Sequence, residues 1–229
     1  RKEEEPLNCL GNTHGGIECA AGQWYVFYHR QTNRTNYSRQ GCAEKIYFDE
    51  KGAIAQAEVT SCGLNKGPLK GVGTYPAAIA CQINRGGKQV LSMPDVMKED
   101  YPYLTQDVPD FEPTDSLAEK DREEPVQYIK NIKDGSVMGY KYFAFDGMEQ
   151  ATLLIRGKAD GRVMIAVDTP ENAVGEIAVN LDAQDWTPVC GKTEPVSGVH
   201  ALYFCFKGSG RMDFSVFKLE KAHNILRGE

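Results

Sequence analysis

The 229-residue sequence has no cluster of basic residues, although it contains 26 lysines and arginines. They are spread along the chain among 32 aspartates and glutamates, and the formal net charge is −6. A protein that binds nucleic acid usually neutralises phosphates with a concentrated basic surface. Nucleic acid is therefore not an expected partner.

Long apolar runs are also missing. No stretch approaches the roughly 20 consecutive apolar residues that span a bilayer, and the opening RKEEEP lacks the apolar core of a secretory signal. We therefore expect no membrane partner. The sequence leaves the localisation open between the cytoplasm and secretion.

Motifs of several enzyme and metal-binding classes are absent too. There is no nucleophile elbow, phosphate-binding loop or zinc motif, which disfavours serine hydrolases, kinases and dinucleotide enzymes. The seven cysteines form no C-x-x-C pair, and several lie in apolar strand patterns such as YFCF. Buried free thiols are a better interpretation than a disulfide framework.

Short strand patterns dominate, whereas helix signals are nearly absent, so the sequence predicts an all-β fold. Aromatic and β-branched residues predict strands over 23–30, 42–48 and 54–59. Glycines and prolines over 60–87 predict a long closing loop with one short strand near AAIACQI. We assign 1–87 to a first domain.

A proline-rich and acidic stretch over 88–124 predicts a linker, and its aromatic residues Tyr101, Tyr103 and Phe111 indicate that it packs between the domains. From 125 to 229 about eight short alternating strands, separated by turn residues, predict a β-sandwich of the jelly-roll type. These strands are QYIKNI, GYKYFAF, ATLLIRG, GRVMIAVD, GEIAVNL, WTPVCG, VHALYFCF and MDFSVFKLE.

Three residues of the first domain could contribute to a site. Flanking glycines let the backbone at His14 approach a ligand closely, although a turn histidine fits the pattern as well. Arg30 and Arg39 bracket a polar loop, where a guanidinium could hold a carboxylate in bidentate fashion. An ordinary surface salt bridge is the alternative for each arginine.

Sugar binding by the second domain would need aromatic faces and short polar side chains. Trp186, Tyr140 and Tyr142 are the candidate aromatic residues, with Asp213 as a polar partner. The alternative is that these aromatic side chains pack in the core of the sandwich.

Residues 8–84 contain, in this order, HG before a strand, QWYVFYHRQT, SRQGCAE, TSCGL and YPAAIAC. With these motifs they resemble the C-terminal blade of glycoside hydrolase family 43 enzymes. Those enzymes are five-bladed propellers that cleave, with inversion, arabinofuranosyl or xylosyl linkages of plant cell-wall polysaccharides such as arabinoxylan, xylan and arabinan. Through GVHALYFCFKGSGRMDFSVFKLE, the second half is similar to carbohydrate-binding module family 6.

The first resemblance implies a site floor made by His14, Arg39 and, less directly, Arg30. His14 would lie in the central cavity beside a bound cation, often calcium, that it contacts through water. The catalytic carboxylates of the family lie on earlier blades, so none is expected in this chain. We therefore expect a missing N-terminal propeller portion, in the same parent protein or in a separate chain.

The resemblance as a whole implies the C-terminal part of a glycoside hydrolase with an appended carbohydrate-binding domain. The sandwich departs from its family at two points. The loop aromatic residue expected beside Trp186 is not evident, and Asp213 stands where the family has an amide side chain that binds a sugar hydroxyl. A non-catalytic carbohydrate-binding protein, or a structural sandwich that braces a propeller, is therefore the alternative.

Overall fold

The computed structural model describes residues 14–35, 38–86, 101–107 and 126–221, whose regular secondary structure is β apart from one 3₁₀ turn. The described part of the chain contains no helix long and apolar enough to cross a membrane. The elements are β1 Gly15–Ala20, β2 Gln23–Gln31, β3 Arg39–Lys45, β4 Leu69–Lys70, β5 Gly73–Pro76, a 3₁₀ turn Ala77–Ile79, β6 Gln82–Arg85, β7 Tyr103–Gln106, β8 Gln127–Ile132, β9 Ser136–Val167 and β10 Ala173–Lys221.

Strands β1, β2 and β3 form a small antiparallel sheet in chain order. The predicted strand over 23–30 is confirmed as β2, but β3 starts earlier than predicted and ends at Lys45. The strand predicted over 54–59 is wrong, because only an isolated bridge joins Phe48 to Ile54. Ile54 is 45% exposed, and the alanines that follow it have little surface to bury against a neighbouring strand.

The second sheet is built mainly from the two long, bent ribbons β9 and β10, which pair antiparallel over most of their length. Residues 157–167 of β9 lie between two segments of β10, 173–183 on one side and 202–212 on the other. The sheet therefore curls around a single core, which confirms the all-β sandwich predicted for this region.

Alternating apolar residues of the ribbons fill that core. Tyr140, Phe204 and Phe217 form a contiguous aromatic group, with ring centroids 4.7 to 5.9 Å apart. Full burial of an aromatic side chain of this kind contributes about 1.5–3 kcal/mol relative to exposure. Further fully buried side chains are Ile129, Ile132, Met138, Phe143, Met148, Leu153, Ile155, Phe206 and Phe214.

Residues 69–85 extend the sandwich sheet rather than forming only a loop. Strand β4 pairs parallel with β9, while β5 and β6 pair antiparallel with β10 and β9. The approach is close: a Cβ atom on Gly71 would lie 2.3 Å from the Cα atom of Phe145. Only glycine fits there, which explains part of the glycine content that predicted irregular backbone. The domain boundary at residue 87 stays a prediction.

Strand β7 pairs antiparallel with β8 of the sandwich and also contacts the small sheet. The Asn33 N–H donates a hydrogen bond to the Leu104 carbonyl (2.8 Å), and the Thr105 hydroxyl donates one to the Asn33 side chain (2.7 Å). The Arg34 guanidinium lies over the Tyr103 ring. Residues 101–107 therefore contact both sheets, whereas Phe111 lies outside the described residues.

Candidate functional site

Arg156 of β9 lies against two aromatic rings at one end of the sandwich. Its guanidinium carbon is 4.3 Å from the centroid of the Trp186 ring and 4.8 Å from that of Tyr128. The two rings meet edge to face, with centroids 5.3 Å apart. A cation over an aromatic face is attracted by the ring quadrupole. The Trp186 face that could stack on a sugar is thus partly covered by Arg156.

Two carboxylates hold Arg156 in this position. Its Nη2 donates a hydrogen bond to Asp107 Oδ1 at 2.8 Å, and its Nε donates one to Asp213 Oδ2 at 3.3 Å. The hydrogen bond from Arg156 lowers the pKa of the Asp107 carboxyl group. Asp213 also accepts a hydrogen bond from the Asn131 N–H at 3.1 Å. Asp213 is therefore engaged in holding Arg156 and β8.

A polar cleft of about 400 Å³ opens beside this cluster, where β8, β9 and β10 meet. We call it the β8–β10 cleft. Four cationic and two anionic side chains line it, together with Asn131 and Gln184, which can hydrogen-bond to hydroxyl groups. The charged side chains are Lys130, Arg156, Lys158, Arg211, Asp182 and Asp213.

The other two aromatic candidates lie elsewhere. Tyr140 has no exposed surface, and its hydroxyl donates a hydrogen bond to the Ala77 carbonyl at 3.1 Å. A sugar cannot stack on a buried ring, so the assignment of Tyr140 to a carbohydrate site is corrected to the core. Tyr142 is half-buried and donates a hydrogen bond to Glu58 at 2.8 Å. It lines a separate cleft of about 340 Å³ beside residues 55–68.

Arg30 is only 4% exposed and ties the small sheet to the sandwich. Its guanidinium donates hydrogen bonds to the carbonyls of Ala78 and Ala80 and to the Gln40 side chain. Burial lowers the pKa of Arg30. Arg39 lies exposed at the start of β3. The structure does not bring the two arginines together on a carboxylate, and their roles near an active site stay predictions.

His14 lies exposed just before β1, and its ring centroid is 5.9 Å from that of His29. Across the described ranges, no three His, Cys, Asp or Glu side chains are grouped as they would be to hold a metal ion. Calcium prefers six to eight oxygen ligands. The described residues alone therefore do not fit a calcium site.

Three residues with structural or binding importance were missed by the sequence analysis. Arg156 and Tyr128 lie within ordinary strand patterns, and nothing local indicates that they meet. Glu44 is 4% exposed and accepts hydrogen bonds from the Thr60 N–H and hydroxyl, at 2.8 and 2.6 Å. Burial raises the pKa of Glu44. In the sequence, only its position near the end of an alternating strand pointed to Glu44.

Fold and cleft together define an all-β protein in which a small sheet is fixed to a sandwich with a polar surface cleft. No family model matches the chain. It is 38% identical over 220 residues, 94% of its length, to a xylosidase/arabinosidase from Thermoclostridium stercorarium, and it spans 44% of that relative. The chain is therefore a homologue of part of that xylosidase/arabinosidase.

One solved structure shows the same fold at lower identity, and a second is similar to a smaller part of the chain. The first is an arabinoxylan arabinofuranohydrolase of glycoside hydrolase family 43 from Bacillus subtilis, solved with cellotetraose. The match covers 93% of this chain and 41% of the hydrolase chain, with a TM-score of 0.58 and 17% identity. The module CsCBM6-3 from Clostridium stercorarium, solved with cellobiose, matches 69% of this chain and 99% of its own, with a TM-score of 0.48 and 15% identity.

Proposed function

We propose that this chain is the C-terminal part of an inverting glycoside hydrolase that acts on arabinofuranosyl or xylosyl linkages of plant cell-wall polysaccharide. Its sandwich is the appended carbohydrate-binding domain. The observation that carries the proposal is the 38% identity to a xylosidase/arabinosidase over 94% of the chain. The chain spans less than half of that relative, so the proposal concerns a larger parent protein.

The catalytic carboxylates are proposed to lie outside this chain. Inverting glycosidases need two carboxyl groups about 6.5–9.5 Å apart, with room for water between them. The small sheet is proposed to be the last propeller blade, packed against the missing blades. Large exposed apolar side chains on the sheet and on the residues that follow it support this placement, since propellers bury such faces between blades. They are Ile17 and Trp24 in the sheet, and Tyr47, Phe48 and Ile54 after it.

Complementation tests this proposal. The chain would be assayed for nitrophenol release from the aryl α-L-arabinofuranoside and the aryl β-D-xyloside, alone and together with the N-terminal portion of the homologous xylosidase/arabinosidase. Turnover only in the mixture is expected. Turnover by the chain alone would contradict the placement of the carboxylates, and no turnover in a mixture shown to associate would contradict the enzyme assignment.

A second candidate function is a sandwich that braces the propeller without binding a sugar. The coverage of Trp186 by Arg156 favours it, because Arg156 lines the β8–β10 cleft and occupies a ring face on which a sugar could stack. Retention of the chain on immobilised xylan or arabinan separates the two functions. Retention that is lost in Trp186→Ala supports sugar binding through this end of the sandwich, whereas no retention on any glycan supports the brace.

A further inference from the structure

We propose that the β8–β10 cleft binds the carboxylate of an acidic sugar, that is, a uronosyl residue carried by the polysaccharide. The inference rests on the proposed carbohydrate-binding function and adds the class of ligand to it. A neutral sugar would need an open aromatic face or a dense set of uncharged hydrogen-bonding groups. The charged side chains of the cleft are mainly cations.

The charge of the cleft differs from that of the molecule as a whole. The complete chain carries a formal net charge of −6, whereas four of the six charged side chains that line the cleft are cationic. A local excess of positive charge in a concave surface raises the local concentration of anionic ligands. The cleft therefore selects ligands by charge.

Two of the cations are available for a ligand. Arg156 is held by Asp107 and Asp213, and Lys158 pairs with Asp182 at 2.8 Å. Within the described ranges, Lys130 and Arg211 have no carboxylate within 4.0 Å. Guanidinium and ammonium groups that lack an internal counter-ion can bind a carboxylate through charge-assisted hydrogen bonds.

Strand register brings Lys158 and Arg211 to the same side of the sheet. Arg211 on β10 lies directly opposite Lys158 on β9, and directly opposed residues of an antiparallel pair project from the same face. Asp182 already pairs with Lys158, so an anion in the cleft would mainly meet the charge of Arg211.

The remaining polar groups suit the hydroxyls and ring of such a sugar. Gln184 is exposed on the rim of the cleft and can both donate and accept hydrogen bonds. The guanidinium of Arg156 covers Trp186 and keeps the position next to the cleft positively charged. The same arrangement that weakens stacking of a neutral sugar therefore favours a charged one.

Binding of a matched pair of oligosaccharides tests the inference. The probes are a xylotetraose that carries one glucuronosyl group and its carboxyl-reduced form, in which the same group is a neutral glucosyl residue. Isothermal titration calorimetry with the complete chain is expected to give at least tenfold tighter binding of the acidic probe, which is about 1.4 kcal/mol. The preference should shrink as salt is raised, because a partly exposed ion pair is screened.

Variants locate the binding. The double variant Lys130→Gln and Arg211→Gln should lose most of the preference for the acidic probe. Lys207→Gln is the matched control, since Lys207 also lies opposite a cation, Arg162, but does not line the cleft. Both positions of the double variant are exposed, so the fold should tolerate the change. Circular dichroism checks this.

The outcomes separate the inference from the function on which it rests. Equal binding of the two probes would overturn the inference and leave the carbohydrate-binding proposal standing. If neither probe binds and neutral arabinoxylan does not bind either, the inference and the carbohydrate-binding proposal are both overturned. An acidic preference that survives the double variant, or that is lost equally in Lys207→Gln, would overturn the assignment to the β8–β10 cleft.

Discussion

Replacement of Arg30 by methionine should weaken the attachment of the small sheet to the sandwich. Nη1 of Arg30 donates a hydrogen bond to the Ala80 carbonyl at 2.5 Å, and Nη2 donates one to the Ala78 carbonyl. In the variant Ala80 loses this partner, whereas Ala78 keeps a longer hydrogen bond from Gln40 at 3.3 Å. A buried polar group without a partner costs about 1–3 kcal/mol.

The burial of a charged guanidinium offsets part of this loss, because methionine carries no charge to desolvate. We therefore expect Arg30→Met to lower the free energy of unfolding by about 2 kcal/mol. Urea unfolding, followed by circular dichroism, measures the difference, and hydrogen exchange should show faster exchange of the β2 and β3 amides. Arg39→Met is the matched control, because Arg39 is exposed and its removal should change stability by less than about 0.5 kcal/mol.

Equal stability of the two variants would refute the reasoning. A second readout addresses the active-site role that the family resemblance implies for Arg30. If Arg30 acts only through the fold, activity of the complemented enzyme should fall in step with the folded fraction. A large loss of kcat in a variant that remains folded would instead place Arg30 at the reaction site.

Three further predictions concern single side chains. Tyr140→Phe should cost about 1 kcal/mol by removing the hydrogen bond from the tyrosine hydroxyl to the Ala77 carbonyl, which keeps the Ala80 N–H as its other donor. Glycan retention should not change, and loss of retention in folded protein would return Tyr140 to the binding site. Burial raises the pKa of Glu44, so the stability from its protonated form is fully present below about pH 4.3 and is lost as pH rises through the folded-state pKa. Unfolding measured from pH 4 to 8 should therefore show Glu44→Gln gaining stability relative to the parent chain, and parallel curves would contradict this. The hydrogen bond to Asp168, 2.8 Å long, raises the pKa of His200. The stability that this ion pair contributes is therefore present below about pH 6.5 and is lost as pH rises through the folded-state pKa. His200→Gln should lower the free energy of unfolding by up to about 1 kcal/mol more at pH 5.5 than at pH 9, and an equal cost at both would refute the ion pair.

The alternation of apolar residues was sufficient to predict most of the sandwich, but it could not assign faces around Tyr140. With a period of two, Tyr140 and Tyr142 should share one face of β9. The core instead takes Tyr140 and Phe143. Opposite them, Leu202 pairs with Tyr140 and His200 with Phe143, so three steps on β9 match two on β10. This β-bulge shifts the alternation by one residue, and a single sequence does not show where a bulge occurs.

Contacts between different strands could not be predicted from the sequence for another reason. The cluster of Tyr128, Arg156 and Trp186 joins three consecutive strands at positions about 30 residues apart, and each residue is ordinary in its own strand. Residues 69–85 looked irregular because glycine and proline dominate local propensity. Their pairing with β9 and β10 is decided by the sheet edges that they cover, which is a tertiary effect.

Four contacts fix the small sheet and its flanking residues to the sandwich, and this bears on how the proposed enzyme would use its binding domain. Arg30 reaches residues 78–80, Gln40 bonds Gln127 at 2.8 Å, the Ser61 N–H bonds the Lys141 carbonyl at 2.5 Å, and Asn33 bonds Leu104 at 2.8 Å. A binding domain on a flexible linker would sample many orientations relative to the propeller. Contacts spread over four points restrain rotation about any one of them, so a glycan in the β8–β10 cleft would be presented to the proposed propeller at a constant distance. The cleft would then select which substituted stretch of the polysaccharide reaches the active site, in addition to raising the local concentration of substrate.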